Sequence, residues 1–152
     1  MKPKGFTLVE IMIVVAIIAL LAAIAIPNLL RARVSAQESA AVAALHTILA
    51  AEQQFRAANP VYTDIPTLGV DNPPYVDGAL ATGIKHGYNF VATPNAGTDF
   101  YATAAPQALA QAHTFYVDES GVVCRSAVTN TVAPVAHVAA GNLCPAGFAE
   151  IQ

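Results

Sequence analysis

Sixteen consecutive residues, Ile11 to Ile26, carry neither a charge nor a polar side chain. Phe6, Leu8 and Val9 before the run and Leu29 and Leu30 after it lengthen the apolar stretch. It then suits a membrane-crossing helix, which needs about 20 predominantly apolar residues. Lys2 and Lys4 precede it and Arg31 and Arg33 follow it. A short basic tail stays in the cytoplasm, so the long downstream part is expected on the far side of the membrane. The two arginines pull mildly the other way, but long downstream regions translocate largely regardless of charge.

A cleaved secretory signal is the rival explanation, with Ala23-Ile24-Ala25 as its cleavage site. Three features oppose it. Glu10 lies inside the apolar stretch, where a carboxylate is costly. The stretch is longer than a usual signal core, and the helical pattern continues past the proposed cut.

The remainder of the 152-residue chain dilutes this apolarity only partly. Hydrophobic residues make up 55% and charged residues 11%, against about 25% charged in an ordinary soluble domain. That excludes a disordered chain. A net charge of −3 gives no electrostatic basis for nucleic-acid binding, so no specific nucleic acid is indicated. Two cysteines are too few for a disulfide-built scaffold.

The start reads Lys4-Gly5-Phe6-Thr7-Leu8-Val9-Glu10, followed by the apolar run and Pro27. This string resembles the N-terminus of type IV pilins and of the related type II secretion pseudopilins. The resemblance is close over residues 1 to about 58 and holds only in outline beyond. It implies that residues 1–5 are a leader removed by a prepilin peptidase at the cytoplasmic face. Gly5 would precede the cut, and Phe6 would become the N-methylated first residue. Glu10 would be the acidic residue of filament assembly.

The chemistry suits these roles. A glycine lets a protease approach the backbone closely. Cleavage after it creates a cationic amine at the edge of an apolar helix. Glu10, about one turn from Phe6, is placed to compensate an amine, its own or that of the next subunit. Sixteen large apolar residues lie between Phe6 and Leu30. At about 2 kcal/mol each, keeping them from water is worth on the order of 30 kcal/mol. Lipid already supplies most of that, so close packing and polar pairing must decide assembly. Ala19 with Ala23, then Ala32, Ala36, Ala40 and Ala44, offer small residues at four-residue spacing; alanine's helix preference explains them equally well. Pro27 removes a backbone hydrogen bond and is expected to kink or loosen the helix near Ala23 to Pro27. The resemblance implies that this turn is extended or melted in a filament; a kink that persists unchanged there is the simpler alternative.

Residues 28–58 continue the helix, with Val34, Ala41, Val42, Leu45, Ile48, Leu49 and Phe55 on one apolar face. Asn59-Pro60 ends it. The proline-rich stretch 60–86 reads as an ordered but irregular loop. Four strands are expected at Tyr88–Ala92, Asp99–Ala104, Thr114–Val117 and Val122–Arg125, a sheet over about 87–125. Pro94-Asn95-Ala96-Gly97 and Asp118-Glu119-Ser120-Gly121 are the turns. The expected class is α+β with the type IV pilin fold: a long kinked N-terminal helix on an antiparallel sheet of three to four strands. The expected organisation is leader 1–5, helix 6–58 with 6–30 crossing the membrane or filling the filament core, and head 59–152.

Cys124 and Cys144 are the only cysteines. An exported head lies where disulfides persist. The family resemblance implies a bridge bounding the C-terminal region 124–144; two free buried thiols are the alternative. His46, His86, His113 and His137 are dispersed and form no metal spacing. No nucleophile elbow, phosphate-binding loop or dinucleotide fingerprint occurs. Neither catalytic residues nor a cofactor or metal are therefore expected. An acidic hairpin turn accounts for Asp118-Glu119-Ser120-Gly121 without calcium.

The reading that results is a major-type pilin subunit. It would begin in the inner membrane with its head exported and end in an extracellular helical homo-oligomer. Its implied partners are the prepilin peptidase, an inner-membrane assembly platform and a cytoplasmic ATPase. A type II secretion pseudopilin is the nearest alternative, although the C-terminal stretch has a cysteine pair in place of acidic calcium ligands. A membrane-anchored exported enzyme is more distant.

Overall fold

The computed structural model describes residues 5–95, 98–107, 112–129, 133 and 144–151. The chain divides into two compact units, 1–34 and 35–152. Helix α1 (Leu8–Ala58) begins in the first and ends in the second.

In the first unit α1 is bare. Every large apolar side chain from Phe6 to Leu30 is at least half exposed, and this is the one described helix long and apolar enough to cross a membrane. The α-helix runs without a break through Pro27. The amide of Asn28 donates to the Ile24 carbonyl (3.1 Å), one turn back. The melted turn implied by the resemblance is thus not the form of the single chain.

In the second unit one face of α1 is buried through Ala41, Ala44, Leu45, Ile48, Ala51, Glu52 and Phe55. These recur at three- and four-residue intervals, as an amphipathic helix requires. The helix closes where the Asn59 N–H and side-chain amide both reach the Phe55 carbonyl.

The stretch expected as an irregular loop is more regular than its prolines suggest. It holds helix α2 (Ile65–Val70), helix α3 (Gly78–Ala81) and strand β1 (Ile84–Lys85). Aspartates start both helices: Asp64 accepts from the Thr67 N–H (3.0 Å) and Asp77 from the Leu80 N–H (2.7 Å). Such caps satisfy donors that a helix end leaves open. Pro66 sits in the first turn of α2, where its missing N–H costs nothing. The two helices touch so closely that a Cβ on Gly69 would lie 2.3 Å from the Ala81 Cβ. Gly69→Ala is therefore expected to destabilise this unit by about 1–3 kcal/mol, measured by chemical denaturation of the full chain in detergent.

Among the described residues six strands, not three or four, form one antiparallel sheet in chain order. Beyond β1 they are β2 (Tyr88–Asn95), β3 (Asp99–Pro106), β4 (His113–Asp118), β5 (Val123–Thr129) and β6 (Phe148–Glu150). The central strands β2, β3 and β4 contain the expected segments, and β5 begins one residue later than expected, at Val123, and runs on to Thr129. The additions are the short edges, two and three residues long. Such pairs are set by neighbouring backbone rather than by alternation within the segment. The β4–β5 hairpin turns at Gly121 (φ 81°), whose N–H donates to the Asp118 carbonyl. Of the other expected turn, Pro94 and Asn95 instead extend β2, paired with Phe100 and Asp99, and positions 96–97 lie outside the described residues.

Phe90, Ala104 and Phe115 share one sheet face, and the rings of Tyr88, Phe90 and Phe115 cluster on it. Tyr101, Thr103, Tyr116 and Cys124 share the other. There Tyr101 and Tyr116 stack, and the Cys124–Cys144 disulfide packs with Phe148. The fold is α+β and pilin-like.

Candidate functional site

The Gly5-to-Glu10 string occupies the approach to α1 and its first turn. Gly5, Phe6 and Thr7 precede the helix without regular structure. Phe6 is 85% exposed, and nothing lies within 4 Å of the Cβ position of Gly5. The Gly5–Phe6 peptide bond is thus open to an incoming enzyme.

Thr7 starts the helix and Glu10 is its third residue. The Glu10 N–H donates to Thr7 Oγ1 (3.2 Å). In return Glu10 Oε2 accepts from the Thr7 N–H (2.8 Å) and the Thr7 hydroxyl (2.7 Å). This reciprocal pattern is a capping box. Threonine and glutamate three residues apart are its sequence signature, so the role of Thr7 was readable but overshadowed by that of Glu10. In the uncleaved chain, where Phe6 has no free amine, Glu10 pairs with Thr7. Both bonds fall on Oε2, and among the described residues Oε1 takes none. A negative charge at a helix N-terminus also meets the positive end of the backbone dipole. The cap holds the carboxylate at the N-terminal end of the helix.

The other singled-out residues lie elsewhere. Pro27 is inside α1. Cys124 and Cys144 form a disulfide in the second unit. His46 is exposed, and His137 falls outside the described residues. His113 is structural: its Nδ1 meets the Ser126 carbonyl (2.8 Å) and its N–H donates to Glu38 Oε1 (2.8 Å). Glu38 thereby ties α1 to β4. Tyr88, buried and facing the charge of Glu38, has its phenol pushed above the usual range. Among the described residues no group of three or more His, Cys, Asp or Glu is placed to hold a metal.

Glu52 escaped notice in the sequence. It lies four residues after Ile48 and three before Phe55, on the buried face, and is fully enclosed. Oε2 accepts from the Thr63 N–H (3.2 Å), while Oε1 has no partner. Burial first, and the charge of Asp64 as a lesser cause, push its carboxyl up to about 7 against the partial relief of the Thr63 bond. Its helical spacing was the available signal.

Comparison with known proteins bears on the first of these sites. The family described as the prokaryotic N-terminal methylation motif matches residues 1–26. The chain is 33% identical over 116 residues to the type IV wide pilus major component PilA4 of Thermus thermophilus, covering 73% of this chain and 88% of that protein. It is 44% identical over 63 residues to the type IV major pilin protein PilA of Myxococcus xanthus, covering 41% of this chain but only 29% of that protein. No solved structure matches.

Proposed function

The chain belongs to the type IV pilin family, and from that membership we propose that it is a major-type pilin, a structural subunit polymerised into a pilus filament. The observation that carries the reading is a bare apolar helix of about 35 Å from Leu8 to Leu30, headed by an accessible Gly5–Phe6 bond and a capped Glu10. Only lipid or other copies of the same helix can cover it.

The order of events proposed is the one that the family resemblance implies. Residues 1–5 are the leader, and residues 6–30 hold the precursor in the inner membrane with residues 59–152 exported. A prepilin peptidase cuts after Gly5 and the Phe6 amine is methylated, which adds bulk and keeps the positive charge. Glu10 of a subunit already in the filament then receives the Phe6 amine of the incoming one. Thr7 keeps Oε2, so Oε1 is open to the amine. Lipid tails give way to neighbouring helices, with little hydrophobic gain. Work from a cytoplasmic ATPase through an inner-membrane platform supplies the extraction. The turn ending at Pro27 lacks one backbone hydrogen bond and is where α1 loosens on assembly. The product is an extracellular fibre, and the role involves no turnover of a substrate. The relatives are named as major pilus components, which favours a pilus over a secretion pseudopilus.

Intact-mass and N-terminal analysis of the mature protein tests this reading. The expected chain begins at Phe6 and carries one added methyl group. A chain beginning near Ile26 would restore the secretory signal, and one retaining Met1 would leave a simple anchor.

A further inference from the structure

We propose that Glu52 is a proton-operated latch on the segment leaving α1: protonated, it holds Thr63 and the start of α2 against the helix, and on losing that proton it lets the segment open. The latch is independent of the filament reading and rests on the second unit alone.

Residues 59–64 connect α1 to α2; beyond the Asn59 bonds that close the helix, two side chains of α1, Arg56 and Glu52, hold this segment. Tyr62 is buried, with its ring 4.7 Å from that of Phe100. Its hydroxyl accepts from the Arg56 guanidinium (2.7 Å), which also lies over the Tyr62 ring. The second attachment is the Thr63 N–H on Glu52 Oε2. Arg56, one turn beyond Glu52, is the nearest cation along the helix, and it is engaged with Tyr62. From the connecting segment Glu52 faces Asp64, a like charge that caps α2. Tyr75 meets the neighbouring Phe55 edge-on, and the sheet meets the segment through Phe100, which does not titrate.

A fully buried carboxylate with one backbone donor, an empty second oxygen and a like charge beside it is poorly compensated. The neutral acid is tolerated there far better than the anion. The anion is relieved by reaching water, and the connecting segment is the cover it can displace. Asp64 does not set the transition, because its Thr67 bonds hold its carboxyl below the ordinary aspartate value.

The sign follows from linkage. The closed state binds its proton up to about pH 7, while an opened segment returns Glu52 to an ordinary value near 4.5. Opening therefore grows easier as pH rises between these values and levels off above the higher one.

The test uses the full-length protein in detergent micelles. Carbon-13 NMR should find the Glu52 carboxyl titrating near pH 7. Protection of the Thr63 amide against hydrogen exchange, corrected for its intrinsic pH dependence, should fall on the order of 70-fold from pH 5 to 8. In Glu52→Gln that fall should vanish, which assigns it to Glu52 and not to another group. A midpoint near the ordinary glutamate value, flat Thr63 protection in the wild type, or the same fall in Glu52→Gln would overturn the latch. Should Glu52→Gln not fold, the wild-type midpoints decide: coincidence of carboxyl titration and Thr63 release supports it, and separation refutes it.

Discussion

Glu10→Ala is expected to leave the precursor in the membrane at its normal level while sheared fibres fall by about two orders of magnitude or more. Removing one member of a buried charge pair leaves the other uncompensated in a low-dielectric core. Insertion depends on the apolar stretch from Phe6 to Leu30, which the substitution does not shorten. The helix also keeps half its cap, because Thr7 Oγ1 still accepts from the N–H of residue 10. The Phe6 amine of each incoming subunit, however, would meet no anion. Glu10→Gln separates the two roles of the side chain. An amide oxygen can still accept from Thr7, but it has no charge for the amine, so the expected fibre yield is as low as with alanine. Electron microscopy and immunoblotting of sheared and membrane fractions measure both pools, and intact mass verifies that cleavage after Gly5 still occurs. Full fibre yield from Glu10→Gln would make Glu10 a capping residue and nothing more.

What the sequence disclosed depended on how locally each feature is determined. The apolar run and its lone carboxylate are properties of consecutive residues, so α1 and the N-terminal string were readable directly. Strand β2 shows alternation within itself, with Tyr88, Phe90 and Ala92 all buried on one face, whereas β3 and β4 are buried on both faces and read as short apolar runs. The edges β1 and β6 are too short for any pattern and exist because β2 and β5 present open backbone to them. Helices α2 and α3 were hidden by the turn-like appearance of 60–86. Their signals were Asp64 and Asp77 as caps, and proline at a helix start reads equally well as a turn. Glu52 was missed for the opposite reason. A glutamate on a helix reads as solvated, and only its place between Ile48 and Phe55 reveals that it is enclosed. The capping box at Thr7 shows that the site has two polar members where the family pattern directs attention to one. It also directs attention to a partner amine that no single chain supplies.

The second large effect concerns the bridge between Cys124 and Cys144. Those two residues are 20 apart in sequence, and closing a loop of that size restricts the unfolded chain by about 3 kcal/mol. Among the described residues, the end of the chain that follows is held to β5 by backbone bonds, including those from the Ile151 N–H to the Val123 carbonyl and from the Ala127 N–H to the Gly147 carbonyl. Strand β6 pairs with β5 at three positions, Cys124 with Glu150, Arg125 with Ala149 and Ser126 with Phe148. Phe148 packs beside the disulfide on the Tyr101–Tyr116 stack. The double replacement Cys124→Ala with Cys144→Ala is therefore expected to cost about 2–5 kcal/mol. The loss should begin at the sheet edge, with the amides of β6 losing protection before those of β3 and β4. Chemical denaturation of the full chain in detergent reads the first quantity and hydrogen exchange the second. Reductant added to the wild type should reproduce both, which separates loss of the covalent link from loss of side-chain packing. Because Gly5 and Phe6 lie open before α1, cleavage after Gly5 should proceed in the variant as in the wild type. A denaturation midpoint unchanged by replacement and by reductant alike would mean that pairing with β5 alone retains β6, and that the bridge is structurally redundant.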